Sequence, residues 1–181
     1  MMYSNGKGTP SPNDIYAGNV YAETVIAQSF VLVDKNHMTR ISLFLATDGF
    51  PCIAVYDQNE RMRLELNLDE NGNPAVVLRS RSEHMQASLT VEEDQYPYLR
   101  LYDKKPQLRA CLYIAEDTPA LTVYDREENL RFCITLEPEE ENKPYVLFYN
   151  NGEQRQVALT VPTDGAEGLL LQNREGEDRS M

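Results

Sequence analysis

Five prolines of this chain, Pro51, Pro74, Pro97, Pro119 and Pro144, follow one another at intervals of 23, 23, 22 and 25 residues, and each begins a run of alternating apolar residues. A fixed period of this length marks a repeat architecture, and it constrains the fold more than any single motif. A second regularity runs inside the first. Two polar residues stand six positions apart in every unit: Asp34 and Arg40, Asp57 and Arg63, Ser80 and Gln86, Asp103 and Arg109, Asp125 and Arg131, Asn150 and Gln156. A seventh pair, Asn173 and Arg179, belongs to a partial last unit.

Each unit reads as a β-hairpin. In the second, Ile53 and Val55 alternate with Cys52, Ala54 and Tyr56, and Leu64, Leu66 and Leu68 alternate with Arg63, Glu65 and Asn67. Period-two alternation is the pattern of a strand with one covered face. A four-residue loop at 58–61 places Val55 opposite Leu64 and Ile53 opposite Leu66 on one face. It places Tyr56 opposite Arg63 and Ala54 opposite Glu65 on the other. The same folding back pairs Leu32 with Ile41, Leu78 with Ala87, Leu101 with Ala110, Val123 with Phe132 and Phe148 with Val157. A slip of one residue would reverse every face, so the agreement of six units sets the register. Proline donates no ladder hydrogen bond and belongs at a strand start, which is where the periodic prolines stand.

The expected fold class is therefore all-β: tandem antiparallel hairpin repeats of about 23 residues, forming an elongated β-prism or solenoid-like sheet. About twelve strands are complete, with a thirteenth from Gly168 to Gln172. The repeat domain spans 23–181, with six full units and a partial seventh. Segment 1–22, polar and rich in Gly, Pro, Ser and Asn, is set apart as a flexible or docking arm. The stretch from Ile15 to Ile26 leaves room for a short helix or an added strand.

With 181 residues and a net charge of −12, the chain is a poor match for nucleic acid or an anionic membrane surface, both of which are polyanions. No apolar run approaches the ~20 residues that span a bilayer, so no membrane insertion is expected. Three cysteines, Cys52, Cys111 and Cys133, are too few and too odd in number for a disulfide framework. Cys111 and Cys133 stand two strands apart, roughly 9–10 Å at ladder spacing, too far for a bridge. The N-terminus shows no apolar stretch of the kind a signal peptide needs, and a cytoplasmic location follows as the expectation.

Sorting the alternation into faces puts the leucines, valines and isoleucines inward and the tyrosines and arginines outward. Each strand supplies two or three inward apolar residues, a narrow ridge along the array. A sheet with one apolar face must pack that face against something. It can curl on itself, stack as a solenoid, or meet the ridges of identical chains around a shared axis, as in a three-sided β-prism. Self-association as a homotrimer is the favoured solution, with or without docking to a larger protein complex.

The units run Pro, an apolar alternation, Tyr-Asp, a turn, Arg and a second apolar alternation. Over Gln28 to Arg179 this resembles a repeat found in bacterial proteins of unassigned function, whose first unit reads like Phe30-Val31-Leu32-Val33-Asp34 without proline. The resemblance implies a hairpin array and brings no activity with it. Here the turn glycine usual in such hairpins is kept only at Gly152 and Gly176, and Arg79-Ser80 replaces Tyr-Asp in the third unit. The style is also similar to β-prism shafts of phage fibres.

The candidate chemistry is sparse. Asp34, Asp57, Asp103 and Asp125 form a column before the turns, where aspartate accepts backbone hydrogen bonds; the facing arginines fit exposed ion pairs worth ~0–1 kcal/mol. A more informative column is Tyr56, Tyr102, Tyr124 and Tyr149 with Arg63, Arg109 and Arg131. Tyrosine and arginine are enriched at interfaces, so this outward face is a possible binding surface for carbohydrate or protein. The competing reading is that each tyrosine packs on a neighbouring arginine stem. His37 and His84 lie near turns without a nucleophile or ligand set around them. No catalytic, metal-binding or cofactor-binding residues are assigned, and no enzymatic activity is expected. The expected role is a non-catalytic structural or assembly protein, with a carbohydrate- or protein-binding module as the alternative.

Overall fold

The computed structural model describes residues 22–92, 96–137, 142–150, 154–162, 170–173 and 178–179. Fourteen strands follow one another: β1 Ser29–Val33, β2 Thr39–Leu45, β3 Pro51–Tyr56, β4 Met62–Leu68, β5 Pro74–Arg79, β6 Met85–Glu92, β7 Tyr96–Tyr102, β8 Leu108–Ala115, β9 Thr118–Tyr124, β10 Leu130–Glu137, β11 Lys143–Tyr149, β12 Arg155–Thr160, β13 Leu170–Gln172 and β14 Asp178–Arg179. Among the described residues they form one antiparallel sheet in strict sequence order, with β1 and β14 at its edges. The two-residue β14 is a short return strand to the thirteenth. Ala22 to Gln28 holds no regular element. The rest of the stretch proposed for a helix or strand, and nearly all of the arm at 1–22, lie outside the described residues.

The apolar register is the one the alternation dictates. Val55 pairs with Leu64 and Ile53 with Leu66; Leu32 pairs with Ile41, Leu78 with Ala87, Leu101 with Ala110, Val123 with Phe132 and Phe148 with Val157. Between hairpins the rows continue without a break, for example Ile41 to Val55 and Leu43 to Ile53. The periodic prolines add a third row, where Leu45 meets Pro51, Leu68 meets Pro74 and Ile114 meets Pro119.

The turn differs from the four-residue loop expected at 58–61. The Asp57 N–H donates to the Arg61 carbonyl at 3.0 Å, and the Glu60 N–H donates to the Asp57 carbonyl at 3.0 Å. Glu60 is left-handed, with φ 58°. This is a three-residue loop closed by a bulge, and the register shifts between Val55 and Tyr56. Tyr56 therefore pairs with Met62 rather than Arg63. Tyr102 pairs with Leu108, Tyr124 with Leu130 and Tyr149 with Arg155 for the same reason. His37, Glu83 and Glu128 hold the same left-handed place at φ 63°, 63° and 64°.

Within the single chain the covered face is the one opposite the apolar ridge. Every strand pair in substantial contact is a pair of ladder neighbours, so among the described residues the sheet is one layer thick and no second layer covers the ridge. From β2 to β12, all the exposed large apolar residues, such as Leu66, Leu89, Leu101 and Leu112, lie on that ridge. The buried residues among those described lie on the opposite face. A stripe of small side chains runs there through Ser42, Ala54, Val77, Ser88, Cys111, Thr122, Cys133 and Ala158. Small residues in a single layer are covered when longer neighbours on the same face lean over them. A leucine standing above its own sheet has no such roof.

Candidate functional site

The hairpin ends carry a repeated polar assembly. Each turn aspartate sits at the end of an outgoing strand and accepts from two turn amides. Asp57 Oδ1 accepts from the Asn59 and Arg61 N–H groups at 2.8 and 3.2 Å. Asp34, Asp103 and Asp125 do the same with Asn36 and Met38, Lys105 and Gln107, and Glu127 and Asn129. This is the Asx-turn chemistry that the residue type implied.

The second oxygen faces arginine. Arg40 Nε donates to Asp34 Oδ2 at 3.1 Å, and Arg109 Nε and Nη2 donate to Asp103 Oδ2 at 3.1 and 2.8 Å. Arg63 and Arg131 stand farther from Asp57 and Asp125, at 3.6 and 3.7 Å. Asp57 is served instead by Arg61, at 2.9 Å. The carboxyl groups respond. Partial desolvation pushes Asp57 up, but bonds from Asn59 and Arg61 outweigh it and hold the group at about 2 against an ordinary 3.8. Asp34 is lowered chiefly by its Arg40 hydrogen bond.

The same side chains tie one hairpin to the next. Arg40 Nη1 donates to the backbone carbonyl of Asp57 and Arg109 Nη1 to that of Asp125. Gln86 Nε2 reaches the Asp103 carbonyl at 3.0 Å, and Arg63 Nε reaches the Arg79 carbonyl at 2.9 Å. A reciprocal tie runs backwards: the left-handed Glu60 accepts from the Thr39 N–H at 2.8 Å, and Glu128 accepts from the Leu108 N–H at 3.0 Å. The six-residue spacing revealed the aspartate and arginine but not these glutamates. Their signal was a glutamate recurring three residues after the turn residue, at Glu60, Glu83 and Glu128.

The tyrosines of the proposed binding face are half-buried and lie on the small-residue side. Tyr56 Oη and Ser42 Oγ are 3.1 Å apart, so the ring roofs the stripe beneath it. Burial pushes the Tyr149 phenol up. Near the middle of the face, Tyr98 and Tyr113 stack at 5.5 Å, and the Arg100 guanidinium lies 4.2 Å above the Tyr98 ring while bonding Glu92. Arg79 pairs with Glu65 at 2.7 Å. Tyr56 and Arg63, Tyr102 and Arg109, and Tyr124 and Arg131 share one end of the sheet but do not oppose each other in the ladder.

Cys111, Thr122 and Cys133 stand in one cross-strand row, with Thr122 between the thiols. All three cysteines are free and buried, and desolvation raises each thiol above its usual range. Among the described residues no group of three or more His, Cys, Asp or Glu side chains could hold a metal ion, and no helix is long and apolar enough to cross a membrane. The arrangement is suited to rigid association between neighbouring units and to burial of an uncovered apolar face. No protein-family model matches the chain, and no curated protein matches its sequence.

Proposed function

We propose that this chain is a non-catalytic structural or assembly protein whose hairpin array is a stiff body that associates with copies of itself through its apolar ridge. The observation that carries this reading is the ridge itself. It is continuous across the strands, three residues deep including the proline row, and left uncovered by the described residues, with Leu89 and Leu112 about half exposed (51% and 50%). Patches of more than a few hundred Å2 are uncommon on monomers and mark association surfaces. Three sheets with one apolar face each can close around a common axis, so a homotrimer in the style of a β-prism is the preferred assembly. The clasps between hairpins support the stiffness this role requires.

Light scattering coupled to size-exclusion chromatography tests the reading. The chain is expected to run as an oligomer that Leu89→Glu combined with Leu112→Glu takes apart. A wild-type chain that stays monomeric at 20.7 kDa across micromolar concentrations overturns it.

The alternative is a binding module that grips carbohydrate or a basic protein with Tyr56, Tyr102, Tyr124, Tyr149 and the neighbouring arginines. The acidic balance of the chain favours a basic partner over an acidic one. Replacement of Tyr102 and Tyr124 by Ala separates the two readings. A module loses glycan-array or partner binding with its melting temperature little changed. A packing role shows instead as lost stability.

A further inference from the structure

The edge strand β1 differs from every other strand of the sheet. Its sequence, Ser-Phe-Val-Leu-Val, has no charge and no proline. All five residues are exposed, with the apolar four between 44% and 58%. Val31 pairs with Ser42 and so lies on the small-residue face, while Phe30 and Leu32 pair with Leu43 and Ile41 on the ridge. Among the described strand residues, Val31 and Val33 are the large apolar side chains exposed on the small-residue face. A strand apolar on both faces has the pattern of one covered on both sides, yet among the described residues β1 has a ladder neighbour on one side only. Natural edges are blunted with charge, proline or bulges facing outward; the bulge of this hairpin lies at its turn end, between Leu32 and Val33. Beside it, an open groove of about 1040 Å3 is lined by Ser29, Val31, Ser42, Phe44 and Tyr56.

From this edge we infer a second interface: β1 pairs antiparallel with β1 of a second copy about a two-fold axis through Val31. The strand is complementary to its own reverse. Centred on Val31, all five residues find a partner, with Phe30 opposite Leu32 of the second copy, Leu32 opposite Phe30, and Ser29 opposite Val33. Directly opposed residues in an antiparallel pair share a face, so the ridge of one copy continues into the ridge of the other and the described sheet doubles in width. A register one residue away would put the two ridges on opposite faces. The pairing gives the outer backbone groups of β1 ladder partners that no described residue supplies, and it covers Val31 with Val31. An identical chain brings to this edge a strand of matching length that is free of charge and proline. This interface stands independently of association through the ridge.

The test uses charge at the two-fold axis on the full chain. Val31 is on the edge and off the ridge, so Val31→Lys and Val31→Glu leave the ridge unchanged, and circular dichroism checks that each still folds. In either variant alone, like charges oppose each other across the axis at ~4.5–5.5 Å, which disfavours the pair. The wild-type mass is expected to be an even multiple of 20.7 kDa, each variant is expected at half that mass, and an equimolar mixture of the two returns to the wild-type mass. An odd-multiple wild type, an unchanged mass in both variants, or a mixture that stays at half mass overturns the inference. If the Leu89→Glu and Leu112→Glu pair leaves the mass unchanged while Val31→Lys halves it, the ridge association fails and the edge pairing stands.

Discussion

Arg40 holds Asp34 of its own hairpin through Nε at 3.1 Å and donates through Nη1 to the backbone carbonyl of Asp57, seventeen residues on. One guanidinium thus fixes a turn and joins it to the next. The planar fork makes this possible, because it presents donors in two directions at once. Arg109 repeats the arrangement with Asp103 and Asp125, and Gln86 keeps only the half that reaches forward.

Arg109→Ala should therefore cost more than an exposed ion pair. It removes bonds to a carboxylate and a carbonyl, and the carboxylate is partly exposed and can recover water. The expected loss is about 1–2 kcal/mol, read as a shift in the urea midpoint. Arg109→Lys, a single point charge, should recover less than half of it. Lys104→Ala in the same exposed turn should change stability by less than about 0.5 kcal/mol. Equal effects at 104 and 109 would show that the clasp contributes nothing.

The left-handed glutamates allow a comparison at one backbone position. Glu83 has φ 63° and Glu60 φ 58°, and a residue with a Cβ is strained there by roughly 1–2 kcal/mol. Glu83→Gly should stabilise the protein by about 1 kcal/mol. Glu60→Gly relieves the same strain but gives up the bond from the Thr39 N–H at 2.8 Å, so its net change should be close to zero. Denaturant midpoints of the two variants decide the matter, and an equal gain at both would remove the carboxylate of Glu60 from the account.

The repeat, the apolar register and the arginine partners of Asp34 and Asp103 were legible in the sequence because each depends on spacing alone. Val55 finds Leu64 in the ladder, as the alternation requires. The turn was less legible. Glu60 in a place suited to glycine concealed a three-residue loop, and the bulge that closes it moves Tyr56 from Arg63 to Met62. The bond from Arg40 to the Asp57 carbonyl left no mark, since a backbone carbonyl has no residue identity. Which face would be covered could not be read from alternation. It depends on a second layer, and the described residues of a single chain form none, so Ala54 is buried and Leu66 is not.

Acid should weaken the fold over a defined window. Asp57 is held at about 2, and Asp34, Asp69, Asp103 and Asp125 are all lowered from 3.8. A carboxylate with a lowered folded value contributes stability that is fully present above its unfolded value and disappears as pH falls through the folded one. The urea midpoint should therefore drop between pH 4 and 2. Asp57→Asn keeps the side-chain oxygen that caps the turn, as Asn150 does for Gln154 at 3.0 Å, but cannot titrate. It should start lower at pH 7 and lose less between pH 4 and 2. A variant that falls in parallel with the wild type would assign the acid sensitivity to other groups.

The two faces should answer differently to substitution. Ala54 is 0% exposed beneath side chains of its own face, and Leu112 on the ridge is 50% exposed. Ala54→Leu has no room to point outward without displacing its neighbours, including the Tyr56 ring that bonds Ser42, and overpacking of this kind costs ~1–3 kcal/mol. Leu112→Ser in a dilute, unassociated chain loses only the burial given by adjacent strands, about 1 kcal/mol. Where chains associate through the ridge, its cost must rise with protein concentration, because a substitution at an interface acts on the bound state. Ala54→Leu should show no such dependence. Unfolding midpoints at two protein concentrations separate the cases: a Leu112→Ser deficit that is large and independent of concentration would mean that the ridge is already covered within one chain.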